Sequence, residues 1–348
     1  MHISYYQTVL VIAFLVVAII LTAKSDYNSH GLSPAHTNEL KGVAILMVLF
    51  SHIGYFLFSD HTFLYPLSVA GGVGVNIFLF LSGYGLTRSE AKVHLGIMPF
   101  YAKRLGKIFL PMWFVLVATL LLDKYLIGLT YPSSTIIPNL LGFFPNSDLY
   151  TAVNSPLWYF SLILFYYLLF PVIYKKRYAG LSVVLVAVLG YLATRLPLPV
   201  TKDVLKLYQL HYLAFPLGML FAHVRVCREG GCHIPALVSY PLVVLLCAGF
   251  AYTAINSGIG EEVWLEQLIS LVSTCLVVLI FIVKSFRIGF LSFLGRYSYE
   301  IYLIQWPLMY RHDFIYKYTP PFLGTLIYLG VLVLIGFSIN KIMKLAKV

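Results

Sequence analysis

The sequence predicts an all-α fold: a polytopic membrane helix bundle of about 11 transmembrane helices, with no soluble domain. Two observations carry this. Of 348 residues, 60% are hydrophobic and only 11% charged, whereas soluble domains carry about a quarter charged residues. Apolar runs of about 20 residues, the length at which a helix crosses a bilayer, also recur from one end of the chain to the other. The net charge of +11 fits lysine and arginine anchoring cytoplasmic loops, so nucleic acid is not an expected partner and membrane lipids are. The four cysteines (Cys227, Cys232, Cys247 and Cys275) form no secreted disulfide pattern.

Taken in order, the expected spans are 5–23, 38–58, 70–87, 108–127, 156–174, 180–196, 205–224, 236–256, 264–283, 291–310 and 321–342. The first has no basic residues ahead of it and Lys24 behind it. It therefore reads as a retained anchor with its amino terminus outside, not as a cleaved signal peptide. Alternating the loops tests the count. Of the 24 lysines and arginines, only Lys124, Arg195, Lys202, Lys206, Arg311 and Lys317 fall on one side. The other side is then cytoplasmic, which places the carboxyl terminus inside and Lys41 at the cytoplasmic edge. The connection 128–155, rich in proline, asparagine and serine, reads as an irregular outer lid or re-entrant segment.

The second span carries the strongest chemical signal. Lys41 and His52 are the ionisable groups of an otherwise apolar stretch, eleven residues apart. Eleven residues is close to three helical turns, so both lie on one face, roughly 16 Å apart along the axis. Either residue alone reads as a snorkelling lysine or an interhelical histidine. In register, they point to an anion held at one end and proton chemistry at the other. The third span opens on Gly71, Gly72 and Gly74 and carries Asn76 and Ser82. The glycines permit close helix approach, and Asn76 needs a buried partner: His52, a substrate carbonyl, or a neighbouring helix.

Lys103, Arg104 and Lys107 share a face ahead of the fourth span and suit the phosphates of a soluble cofactor, although topology alone explains some of that charge. Trp158 and Tyr159 open the fifth span, either as an aromatic belt or as a substrate surface. In the tenth, Glu300 calls for a partner, and Ser298, Tyr302 and Gln305 fall on about one face. His223, Cys227, Cys232 and His233 cluster in a short turn, but their spacing departs from zinc patterns and no metal is expected.

In family order, these segments resemble the membrane-bound acyltransferase 3 family. Lys41 to His52 is similar to its basic residue, ten intervening residues and histidine. Gly74-Val75-Asn76-Ile77-Phe78-Leu79-Phe80-Leu81-Ser82-Gly83-Tyr84 is similar to its glycine–valine–polar element, and Lys103-Arg104-Leu105-Gly106-Lys107-Ile108 with Pro111 to its basic element. Trp158, Tyr167 and Pro171 match a tryptophan–tyrosine–proline pattern, and Gly295 through Pro307 resembles the late element. This chain departs from the family in three places: lysine stands for arginine at Lys41, Asn76 stands where many members are acidic, and Gln305 stands where many have histidine. The paired acids often found after the tryptophan are Ile163 and Leu164 here.

The resemblance implies a ten-helix core, with residues 1–37 an added anchor and linker and 38–348 the acyltransferase domain. It implies O-acylation of a surface glycan or lipid-linked saccharide, with acetyl-CoA as donor and no permanently bound cofactor, in the plasma (bacterial inner) membrane. The expected roles follow. His52 is the base toward the acceptor hydroxyl, and Ser82, Asn76 or Tyr302 steadies the oxyanion. Lys41, Lys103, Arg104 and Lys107 hold CoA phosphates, and Trp158, Tyr159 and Gln305 face the acceptor. The competing reading is a proton-coupled transporter of a lipid-linked sugar or small solute. Oligomeric state, acyl group and acceptor stay open.

Overall fold

The structure, a computed structural model, describes residues 2–26, 32–57, 60, 62–224, 236–255 and 263–345. The cluster of His223, Cys227, Cys232 and His233 lies largely outside the described residues. In chain order the elements are α1 (His2–Thr22), β1 (Ala23–Ser25), α2 (Pro34–Phe56), α3 (Tyr65–Ser68), α4 (Gly71–Lys92), α5 (Ile97–Leu126) and α6 (Ser133–Leu140). There follow α7 (Trp158–Ile173), α8 (Ala179–Ala193), α9 (Lys202–His211), α10 (Ala214–Val224), α11 (Ala236–Ile255) and α12 (Val263–Val283). The chain ends with β2 (Phe286–Ile288), α13 (Gly289–Arg296), α14 (Ser298–Trp306), a π-helical turn at Pro307–Arg311, and α15 (Pro321–Leu345).

Among the described residues, nine helices are long and apolar enough to cross a membrane, and the protein is a polytopic all-α membrane protein. Two further expected spans are present as broken helices. Residues 205–224 divide into α9 and α10. The break puts Pro216 in the first turn of α10, where a missing N–H costs nothing. Residues 291–310 divide at Tyr297, where the Ser298 hydroxyl donates to the Gly295 carbonyl at 3.0 Å and competes with the helical ladder.

One small feature is not helical. β1 and β2 pair antiparallel, Lys24 opposite Arg287, and tie α1 to the connection between α12 and α13. Beside this ribbon, Glu39 at the start of α2 is buried and ion-paired with Lys284. Its other oxygen accepts the Ile288 N–H at 3.0 Å. A buried carboxylate is tolerable only when it is paired and bonded in this way. Helix α2 itself begins cleanly: the Ser33 hydroxyl accepts from the His36 N–H and Pro34 occupies the first turn.

Helix α2 runs through the middle of the bundle, and its apolar face (Leu40, Ile45, Leu49 and Ile53) is fully buried. Its closest neighbours approach backbone to backbone. A Cβ on Gly42 would collide with the Leu291 carbonyl, and one on Gly295 with the Asn38 carbonyl. At the α4–α10 crossing, Gly83 and Gly218 meet the Phe215 and Phe80 carbonyls in the same way. In lipid, where apolar burial does little to drive helices together, such contacts carry the packing.

The connection between α5 and α7 is held down. The buried Asp123 carboxylate bonds Arg311 at 2.5 Å, His312 at 3.0 Å and the Tyr131 hydroxyl at 2.7 Å. Arg311 also donates to the carbonyls of Ala152 and Val153, and Asn154 donates to the Leu303 carbonyl at 2.8 Å. The segment expected as an irregular lid is thus a pinned cover that carries one short helix, α6.

Replacing Gly295 with alanine pushes α13 off α2. The expected cost is about 3 kcal/mol, read as a lower melting temperature of the detergent-solubilised protein, whereas Gly106→Ala, at a position with open space around it, leaves it unchanged.

Candidate active site

Two cavities lie end to end along α2. The first, about 400 Å³, is lined by Lys41, Ser82, Arg104, Tyr159, Arg296 and Tyr299, among others. The second, about 430 Å³, is lined by His52, Trp158, His211, Asp203, Glu266 and Trp306, among others. The boundary can be read along each helix. On α4 it falls between Val75 and Phe78, on α7 between Trp158 and Tyr159, and on α14 between Tyr302 and Trp306. Aromatic side chains build the wall there. The Tyr159 ring meets that of Tyr302 at 5.4 Å and that of Phe78 at 6.4 Å, and the Tyr302 hydroxyl donates to the Pro156 carbonyl.

The first cavity is basic. Lys41 from α2, Arg104 from α5 and Arg296 from the end of α13 all face it, against the single carboxylate of Glu300, and Arg104 also donates to Ser89 at 3.2 Å. Converging cations with hydroxyls between them make a site for an anionic group such as phosphate. Of the expected phosphate-binding set, Lys41 and Arg104 are brought together here. Lys103 and Lys107 are exposed and do not line the cavity. Arg296 is a residue the sequence reading missed. Its signal was present, a cation one residue after Gly295, but nothing in one dimension shows that Gly295 packs against α2.

The second cavity holds His52. Its Nδ1 lies 2.9 Å from the Gln305 Oε1, so Nδ1 carries the proton and Nε2 keeps its lone pair, the state a general base requires. The Trp306 ring packs edge-on against the imidazole at 5.3 Å. The Gln305 Nε2 and the Trp306 Nε1 are both buried without a hydrogen-bond partner. Gln305, expected to face the acceptor, is instead the group that orients His52.

Asn76 does not touch His52. Its Nδ2 donates to the Ser270 hydroxyl at 2.7 Å, and its Oδ1 lies 2.8 Å from the Nδ1 of His211. It is an interhelical bond, and it serves a second histidine. His211 is 4% exposed, is stacked on Trp158 at 5.5 Å and 21°, and lines the same cavity as His52. The three groups expected to steady an oxyanion are otherwise placed: Ser82 lies in the first cavity, the Asn76 amide is engaged by Ser270, and the Tyr302 hydroxyl is engaged by Pro156. Trp158 faces the second cavity and Tyr159 the first. Glu300 finds its partner in Asn340 at 2.8 Å.

The pinned connection roofs the second cavity through Ser147, Leu149, Ser155 and Pro156. Beside Ser147, hydrogen bonds from the Thr151 N–H and hydroxyl and from the Tyr150 N–H hold the Asp148 carboxyl below the usual range. Burial, and then its hydrogen bond to Asp123, push the Tyr131 phenol up and keep it a donor.

A family model described as an acyltransferase domain, acyltransferase 3, matches residues 38–341. The chain belongs to the acyltransferase 3 family. It is therefore a multi-pass membrane acyltransferase. The matched region takes in both cavities and every residue named in them, and leaves α1 and β1 outside. No curated protein and no solved structure matches the chain. Among the described residues no group of histidine, cysteine, aspartate and glutamate is arranged to hold a metal.

Gln305→Leu fills most of the same volume and removes the acceptor of the His52 N–H. Leaving that donor unpaired costs about 1–3 kcal/mol, so transferase turnover is expected to fall about 10- to 100-fold and the melting temperature by several degrees. Gln305→Glu, which restores an acceptor, is expected to recover most of it.

Proposed function

We propose that this protein is an O-acetyltransferase of the plasma (bacterial inner) membrane. It takes an acetyl group from cytoplasmic acetyl-CoA and places it on a hydroxyl of an extracytoplasmic or lipid-linked polysaccharide of the cell envelope. The observation that carries this reading is the pair of cavities along α2, one cationic at Lys41 and one with an oriented imidazole at His52. The loop charges favour the Lys41 end as cytoplasmic, which leaves the His52 end toward the outside.

The phosphates of CoA rest on Lys41, Arg104 and Arg296, and the pantetheine arm runs along α2 toward the wall. The acceptor occupies the second cavity with its ring against Trp158. Transfer requires the wall to part, so the Tyr302 hydroxyl must leave the Pro156 carbonyl as the thioester passes. The acceptor hydroxyl oxygen then attacks the thioester carbon while His52 Nε2 takes its proton. The C–S bond breaks, and the leaving thiolate receives the proton from the imidazolium, which returns His52 to its starting state. In the transition state the carbonyl oxygen gains negative charge. Trp306 Nε1 and Gln305 Nε2, the unpartnered donors beside His52, are suited to meet it, a role worth roughly 3 kcal/mol per donor in other enzymes.

Membranes carrying His52→Ala are expected to incorporate no label from radioactive acetyl-CoA into glycan, and unchanged incorporation overturns the reading. A carrier would leave acetyl-CoA unconsumed in the wild type as well. Arg104→Ala is expected to raise the KM for acetyl-CoA about tenfold or more, the usual worth of a hydrogen bond to a charged group. Lys103→Ala and Lys107→Ala, which alter exposed side chains, are expected to change it less than about twofold by the same reasoning.

A further inference from the structure

The second cavity contains two imidazoles prepared in the same way. His52 is held through Nδ1 by the carboxamide oxygen of Gln305, and His211 through Nδ1 by that of Asn76, at 2.9 and 2.8 Å. The Asn76 Oδ1 faces the imidazole while its Nδ2 donates to the Ser270 hydroxyl, and an amide oxygen only accepts. His211 therefore keeps its proton on Nδ1 and, like His52, presents a lone pair on Nε2. Neither Nε2 has a hydrogen-bond partner among the described residues, and both rings line the cavity. Gly72 borders the ring, where a Cβ would stand in ordinary contact 3.5 Å from the His211 Cε1.

A nearly buried imidazole whose second nitrogen faces open space, in a site that already has one base, calls for a ligand of its own. The geometry points to His211 as the group that receives a second hydroxyl of the acceptor. On this assignment the cavity takes a polyol whose ring lies against Trp158. One hydroxyl reacts at His52, and another donates to the His211 Nε2 and sets which hydroxyl is acylated. A site built to hydrogen-bond a hydroxyl rejects an analogue that lacks it, because the buried nitrogen is then left unpaired. Asn76, in turn, is a positioning residue that acts through His211.

This inference rests on the acyl-transfer reading, and the experiment separates the two. Purified full-length protein is given labelled acetyl-CoA with cyclohexanol, cyclohexane-1,2-diol or cyclohexane-1,3-diol, and ester formation is measured as kcat/KM. In the wild type the better diol is expected to exceed cyclohexanol by about tenfold, beyond the twofold that a second reactive hydroxyl supplies by number alone. In His211→Phe, which retains the ring against Trp158, the ratio is expected to fall to about two. If His211→Phe does not fold, His211→Met, which also lacks the nitrogen, carries the same comparison. An unchanged ratio, or equal loss with all three alcohols, shows a structural histidine and overturns the assignment while acyl transfer stands. Absence of any ester from the wild type, with acetyl-CoA consumed no faster than by His52→Ala, overturns acyl transfer to a hydroxyl and this inference with it.

Discussion

The contact of Gly42 against Gly295 is the constraint from which the rest of the site follows. Each helix gives up a side chain so that two backbones can touch, and that contact sets the register of α2 against α13 and α14. The residues beside it, Lys41 and Arg296, are thereby brought into one cavity. Lys41, Arg104 and Arg296 outweigh the one carboxylate that lines the same cavity, Glu300, so the packing itself favours an anion there. Ten residues further along each chain stand His52 and Gln305. Past the break at Tyr297, α14 runs alongside α2 and brings the Gln305 carboxamide to the His52 ring. A single close crossing thus supplies both the cationic end and the oriented base.

Much of this was legible in the chain. The spans were visible because apolar runs of bilayer length do not occur otherwise, and the Lys41–His52 face was visible because helical periodicity is local. The glycines that open α4 were legible too, for small residues in a membrane helix mark close approach, and Gly74 lies under the Ala44 carbonyl of α2. The breaks in the two segments at 205–224 and 291–310 were less so. A composition scale sees twenty apolar residues and cannot see that Pro216 or Ser298 redirects the backbone.

His211 and Arg296 were not legible, for a different reason. His211 continues the buried face of Val204 and Tyr208 and so reads as core, Arg296 reads as a loop cation, and each acquires its meaning from a partner more than a hundred residues away: Asn76 for the one, the α2 crossing for the other. Asn76 showed the limit in miniature. Its burial and its need for a partner were evident, yet its sequence neighbourhood offered His52, and the fold supplied His211. Gln305 shows the reverse case. It departs from the family's histidine, and the structure gives that departure a use, because a carboxamide oxygen fixes the His52 tautomer without itself taking up a proton.

A membrane protein hollowed from both ends leaves only the material between the hollows as insulation. Here the material between the cavities is the layer of Phe78, Tyr159 and Tyr302 backed by Pro156 and Trp158. Where two such hollows face opposite solutions, the membrane voltage falls mainly across the layer that divides them. Moving one charge through it involves about 2.3 kcal/mol of electrical work per 100 mV. An aromatic wall in that position is a dielectric as well as a partition.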